Sequence, residues 1–234
     1  MKKNKLSKNV GIAFESLRRI HHSLADAKKA RGAGAYMRNQ FVFFGCDTAI
    51  RRRQTKLVMQ ETALTYDEVL ELAGYLWLQP EREYHYAAIE WMIFCKKQWT
   101  QEVIGLFEMM ITHHSWWDSV DYISTKLISE YFIKFPTQIQ VIIPRWNNDD
   151  DMWLQRTSII FQLPYKQQTN ETLLFTCILR HHASKEFFIQ KAIGWALRQY
   201  ARTNPKSVKD FVNNNSLPAL SVREAMKHLA KTWA

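Results

Sequence analysis

The sequence predicts an all-α protein, folded as a solenoid of helical repeats. Apolar residues recur at three- and four-residue spacing almost throughout, and two-residue alternation is scarce. Only 7 Gly and 6 Pro interrupt the 234 residues. Breaks are expected at Arg31 to Gly34, Gly45 to Thr48, Gln79 to Pro80, Pro136, Asn147 to Asp151, Pro164, Asn204 to Pro205 and Asn213 to Pro218. They cut the chain into helices of ordinary length, the first an amphipathic helix over Asn9 to Arg19.

Several helical segments resemble one another: EYHYAAIEWM (83 to 92), SWWDSVDYIS (115 to 124), MWLQRTSIIF (152 to 161), FFIQKAIGWA (187 to 196) and SVREAMKHLA (221 to 230). Aligned on Ala88, Val120, Thr157, Ala192 and Ala225, they step by 32, 37, 35 and 33 residues. A loose period of helix pairs fits a HEAT-like superhelix, and an irregular bundle is the alternative. The length suits a single domain over residues 1–234.

Lys plus Arg number 32 against 22 for Asp plus Glu, a formal net charge of +10, so a polyanion is a natural partner. A solenoid's concave face would suit a curved polyanion such as duplex DNA. Cys46, Cys95 and Cys177 are widely spaced and odd in number, which predicts reduced thiols and a cytoplasmic protein. The basic start, MKKNKLSK, lacks the apolar core of an export signal. No apolar run approaches the roughly 20 residues of a membrane span.

Two helices carry candidate chemistry. In the first, Trp116, Val120, Ile123 and Leu127 form the apolar stripe, while Trp117 and Asp121 share a neighbouring face about 100° round the helix. A lone WxxxD is equally served by a peripheral core indole and a surface carboxylate, so spacing leaves both readings open. In the second, Ile189, Ile193, Ala196 and Tyr200 form the stripe, and Lys191, Trp195, Arg198 and Arg202 fall together elsewhere. An indole among cations suits a nucleic-acid backbone and sugar; cation stems covering an interfacial indole are the alternative.

Arg156 occupies the slot one residue before the aligned Thr157, where a phosphate contact is its simplest use. Upstream, RGAGAYMRNQF supplies a glycine-containing turn and Tyr36, and TAIRRRQTK supplies Arg51, Arg52, Arg53 and Lys56, a solvated or anion-bound run. The histidine pairs at 21/22, 113/114 and 181/182 point no three ligands at one centre, so no metal and no cofactor are expected. No Walker A loop, GxGxxG or GxSxG is present.

SWWDSVD, MWLQRTSIIFQL, SKEFFIQKAIGWALRQYARTNP and LSVREAMKH, in that order, closely resemble the AlkD family of bacterial DNA alkylation repair glycosylases. The resemblance runs from about Ala35 to His228, with AYMRNQFVFFG matching the N-terminal part. It implies a C-shaped stack of HEAT-like repeats that binds duplex DNA in a concave groove. It also implies excision of N3- and N7-alkylated purines without base flipping, by a monomer acting at the nucleoid. By motif match, Trp117 and Trp195 correspond to tryptophans flanking the lesion's deoxyribose, and Asp121 to the catalytic carboxylate. Tyr36 and Arg156 correspond to residues lining the lesion site and adjacent backbone; Thr48, Arg52 and Arg198 match positions expected to touch phosphates, as Lys191 is by its place beside Trp195. Pro164 departs from the family pattern where a basic residue is expected. A catalytically silent DNA-binding scaffold and a protein-interaction solenoid are the competing readings.

Overall fold

The computed structural model describes residues 6–232. Its described residues are helical with no β-strand; the one extended contact is an isolated parallel bridge between Val42 and Glu81. The basic start falls mostly on residues 1–5, outside the described residues. Two compact units divide the chain, residues 1–106 and 107–234.

The first unit contains α1 (Lys8–Ser23), α2 (Ala27–Tyr36), α3 (Thr48–Thr62), α4 (Tyr66–Trp77) and α5 (Arg82–Phe94), followed by a 3₁₀ turn at Lys96–Gln98. The start of α6 (Val103–Thr112) closes it. Local chemistry sets these starts. Asp26 accepts from the Lys28 and Lys29 amides and Asp47 from those of Ala49 and Ile50, so each caps a helix. Thr65 and Glu68 form a reciprocal capping box for α4. Helix α1 packs on α3 and α4, and α5 on α4 and α3, around the buried Trp77 and Trp91.

The break expected at Arg31 to Gly34 is absent, because α2 runs through it. Gly32 and Gly34 are therefore helical, and the glycine-containing turn offers no phosphate-binding loop. The turn comes later, at Gly45, whose φ of +83° is left-handed. A Cβ there would stand 2.2 Å from Asp26 O and 2.5 Å from Ala30 N, so only glycine fits. Buried Glu83 secures this loop by accepting from the amides of Phe44, Gly45 and Cys46 at 3.1, 2.8 and 3.3 Å.

The second unit contains α7 (Trp117–Ile123), α8 (Ser129–Lys134), α9 (Ile139–Asn147), α10 (Met152–Ile160), α11 (Glu171–Arg180), α12 (Phe187–Tyr200), α13 (Pro205–Asn214) and α14 (Ala219–Thr232). Asp151 and Asn170 cap α10 and α11, and Asn204 caps α13 with Pro205 in its first turn. Helices α7, α10, α12 and α14 pack in succession, each on the next. The five aligned repeat positions, Ala88, Val120, Thr157, Ala192 and Ala225, all have zero exposure. The period therefore marks one equivalent buried slot per repeat, which is the packing logic of a helical-repeat protein. Tyr131, Phe132, Trp146 and Phe161 fill the surrounding core, each such side chain contributing roughly 1.5–3 kcal/mol by burial.

Two local features set the geometry of the later helices. Between α7 and α8, residues Ser124–Ile128 form a π-helical turn. Hydroxyls in and beside it bond nearby backbone: Ser124 to Val120 O at 2.7 Å, Thr125 to Asp121 O at 2.7 Å, and Ser129, the first residue of α8, to Ser124 O at 2.9 Å. Such side-chain competition favours a locally widened helix. At the crossing of α12 and α14, a Cβ on Gly194 would stand 2.4 Å from Glu224 Cβ and 2.9 Å from Ser221 O. The two backbones approach that closely only because the residue is glycine.

Candidate active site

Asp121 lies at the C-terminal end of α7, one turn after Trp117, which opens that helix. Val120, Ile123 and Leu127 are buried as the stripe predicts. Trp116, expected among them, is half-buried, because as the N-cap residue it has extended backbone (φ −158°, ψ 160°) and leaves the helical register. Its ring instead meets Trp153 and Phe188, with centroids 6.0 and 5.3 Å apart.

The Asp121 carboxylate forms a two-point ion pair with Arg156 of α10. Nε donates to Oδ1 at 2.7 Å and Nη2 to Oδ2 at 2.8 Å. The third guanidinium nitrogen, Nη1, donates to the Phe188 carbonyl. Arg156 is only 4% exposed, so its donors serve Asp121 and the start of α12. Burial pushes the Asp121 carboxyl above the ordinary aspartate range, opposed by the Arg156 hydrogen bonds and charge, with Asp118 adding to the rise. A carboxylate so placed is a stronger base than one in water.

A cavity of about 300 Å³ opens at this pair. Trp117, Asp121 and Arg156 border it, together with Phe187, Phe188, Lys191, Trp195 and Arg198 of α12 and Glu224 of α14. Six residues singled out in the sequence, Trp117, Asp121, Arg156, Lys191, Trp195 and Arg198, thus share one cavity. Both indoles are half-buried, leaving ring surface toward it. Ile189, Ile193 and Ala196 are buried on the opposite stripe of α12.

Sequence reasoning missed three lining residues, Phe187, Phe188 and Glu224. Phe187 is 55% exposed, whereas Phe188 packs against Trp153 at 5.0 Å. Glu224 binds Lys191 Nζ at 3.0 Å, Arg198 Nη1 at 2.7 Å and Lys227 Nζ at 2.7 Å. Hydrogen bonding from Lys227, then Lys191, outweighs burial and holds its carboxyl down to about 2. A signal for Glu224 existed: it precedes the aligned Ala225 as Arg156 precedes Thr157 and Lys191 precedes Ala192.

Tyr36, Thr48 and Arg52 belong to the first unit. Tyr36 ends α2 with 69% exposure, Thr48 opens α3, and both border a cavity of about 180 Å³ with Lys29, Arg51 and Glu83. Within the arginine run, Arg51 is buried and pairs with Glu90 at 2.8 and 2.9 Å. Half-exposed Arg52 reaches the same carboxylate at 3.2 Å. Among the described residues no three His, Cys, Asp or Glu side chains converge as a metal site, and no helix is long and apolar enough to cross a membrane.

Residues 20–229 match the family model described as DNA alkylation repair enzyme. Among solved structures, a predicted DNA alkylation repair enzyme from Enterococcus faecalis is 32% identical, with a TM-score of 0.83 over 88% of this chain and 97% of that one. AlkD2 from Streptococcus mutans shares the fold at 12% identity, with a TM-score of 0.63 over 94% of this chain and 98% of that one. No curated protein matches the chain.

Proposed function

The chain belongs to the DNA alkylation repair enzyme family, and from that premise we propose that it is a monofunctional DNA glycosylase acting on N3- and N7-alkylated purines in duplex DNA. The observation that carries this reading is one half-buried carboxylate, Asp121, whose basicity is raised, bordering a cavity with two half-buried indoles. We take residues 1–234 as one glycosylase domain that works as a monomer at the bacterial nucleoid, without a cofactor.

The chemistry asks for few groups. Alkylation at N3 or N7 makes the purine cationic, so it departs as a neutral base and needs no general acid. Ordinary glycosidases need a second carboxyl because they must protonate a poor leaving oxygen. As the N-glycosidic bond stretches, positive charge develops in the deoxyribose. Asp121 stabilises that charge and orients or deprotonates the attacking water. Trp117 and Trp195 offer π faces whose attraction for the sugar grows with the same charge, which is preferential binding of the transition state. Arg156 keeps the carboxylate in place. Lys191 and Arg198, with Tyr36, Thr48 and Arg52 of the first unit, grip the DNA backbone. Recognition through sugar and phosphate removes the need to flip the base, and the weakened bond of a cationic purine supplies selectivity.

Incubation with methylated duplex DNA should yield free 7-methylguanine and alkali-labile abasic sites. Asp121→Asn is expected to keep near-normal DNA affinity while slowing single-turnover release at least ~10²-fold. Retained DNA binding without released base would instead identify a DNA-binding scaffold, and equal rates for the variant would remove Asp121 from the mechanism.

A further inference from the structure

Among the described residues two carboxylates border the 300 Å³ cavity, and they hold different cations. Asp121 is engaged by Arg156. Glu224 is engaged by Lys191, Arg198 and Lys227. Lys191 and Arg198 border the same cavity as Asp121, yet the cation that favours its ionised form is Arg156, with Asp118 opposing from its own helix.

Glu224 is 4% exposed. Its place is set by the tight crossing of α12 and α14, where Gly194 admits its stem and Ser221 Oγ donates to Gln190 O at 2.9 Å. Buried ion pairs are often no more stabilising than apolar residues of the same volume, so stability alone is a poor reason for one carboxylate among three cations. Its electrostatic effect is more specific. Without the Glu224 charge, Asp121 would be the remaining carboxylate among the described residues of this cavity for a flexible ammonium and a guanidinium to seek. Additional cations would lower its basicity and offset the negative charge meant for the sugar.

We propose that Glu224 is a positioning residue that holds Lys191 and Arg198 off Asp121, leaving that carboxylate a single guanidinium partner. The purpose of the arrangement rests on the glycosylase reading; the arrangement itself is testable in the free protein. Aspartate labelled with ¹³C at the side-chain carboxyl would be titrated by NMR, with Asp121→Asn assigning the resonance. Glu224→Gln is expected to lower the Asp121 midpoint by about 1 pH unit, the scale of one added cationic neighbour. Adding Lys191→Gln and Arg198→Gln should restore the wild-type midpoint. An unchanged midpoint in Glu224→Gln, or a fall that persists in the triple variant, overturns the proposal. Should Glu224→Gln fail to fold, Glu224→Asp decides the matter, because it keeps the charge but its shorter stem weakens the hold on Lys191 and Arg198: a lower Asp121 midpoint supports the proposal, and an unchanged one overturns it. In active protein, the acid limb of 7-methylguanine release should follow the same midpoint. A wild-type protein that releases no base defeats the glycosylase reading and leaves the titration to judge Glu224.

Discussion

At the residue scale, burial and pairing decide what each polar group can do. Trp117 and Asp121 share a face by spacing alone, and Trp195 lies among cations for the same reason. Their meeting with Arg156 is not legible in the sequence, where a phosphate contact is its simplest use; in the fold its donors engage Asp121 and Phe188. His21 illustrates burial without pairing. It has zero exposure, and neither ring nitrogen has a hydrogen-bond partner. Burial, helped by the Arg51 and His22 charges, lowers it to about 4 from the ordinary 6.5. The folded state therefore favours the neutral ring. This contribution is fully present above pH 6.5 and is lost as pH falls from there toward 4. The loss should reach about 3 kcal/mol. Urea unfolding at pH 7 and pH 4.5 captures most of it, and His21→Leu should shrink the difference, leaving the share of His181, which burial also lowers.

At the element scale, helix ends were legible where caps are local. Asp47, Asp151 and Asn204 stand where breaks were read, because a short polar side chain before an apolar run satisfies the first amides. The GAG segment misled for a physical reason: glycine lowers helix propensity by only about 1 kcal/mol, and a cap at Asp26 with tertiary packing overrides it. The π-helical turn after Asp121 was equally hidden, since serine and threonine act on the backbone only in one packed arrangement. The crossing at Gly194 offers a test. Gly194→Ala should push α14 away from α12, costing about 1–3 kcal/mol as overpacking does. Because Trp195 is the next residue, the base release proposed above should fall with little change in DNA affinity. Thermal melts and single-turnover assays separate the two effects, and an unaltered melting temperature would show that the crossing can relax.

For the whole molecule, the charge balance of +10 favours a polyanion, and on the proposed DNA-repair reading phosphate contact would make its affinity salt-dependent. Exposed Arg52 of the first unit is the candidate to read this out. Arg52→Gln should weaken binding to alkylated and undamaged duplexes alike, and reduce the slope of log affinity against log salt by about 1. A loss confined to alkylated DNA would move Arg52 from backbone to lesion. The sequence by itself determined the helices, their apolar stripes and the buried slot shared by successive repeats, because periodicity, caps and repeat spacing act over a few residues or recur at fixed intervals. Only tertiary packing decided which polar slots meet. Asp121 finds Arg156 across 35 residues, and Glu224 finds Lys191 and Arg198 across 33 and 26. Those partners depend on the offset and crossing of adjacent helices, and a shift of one turn would bring different side chains together.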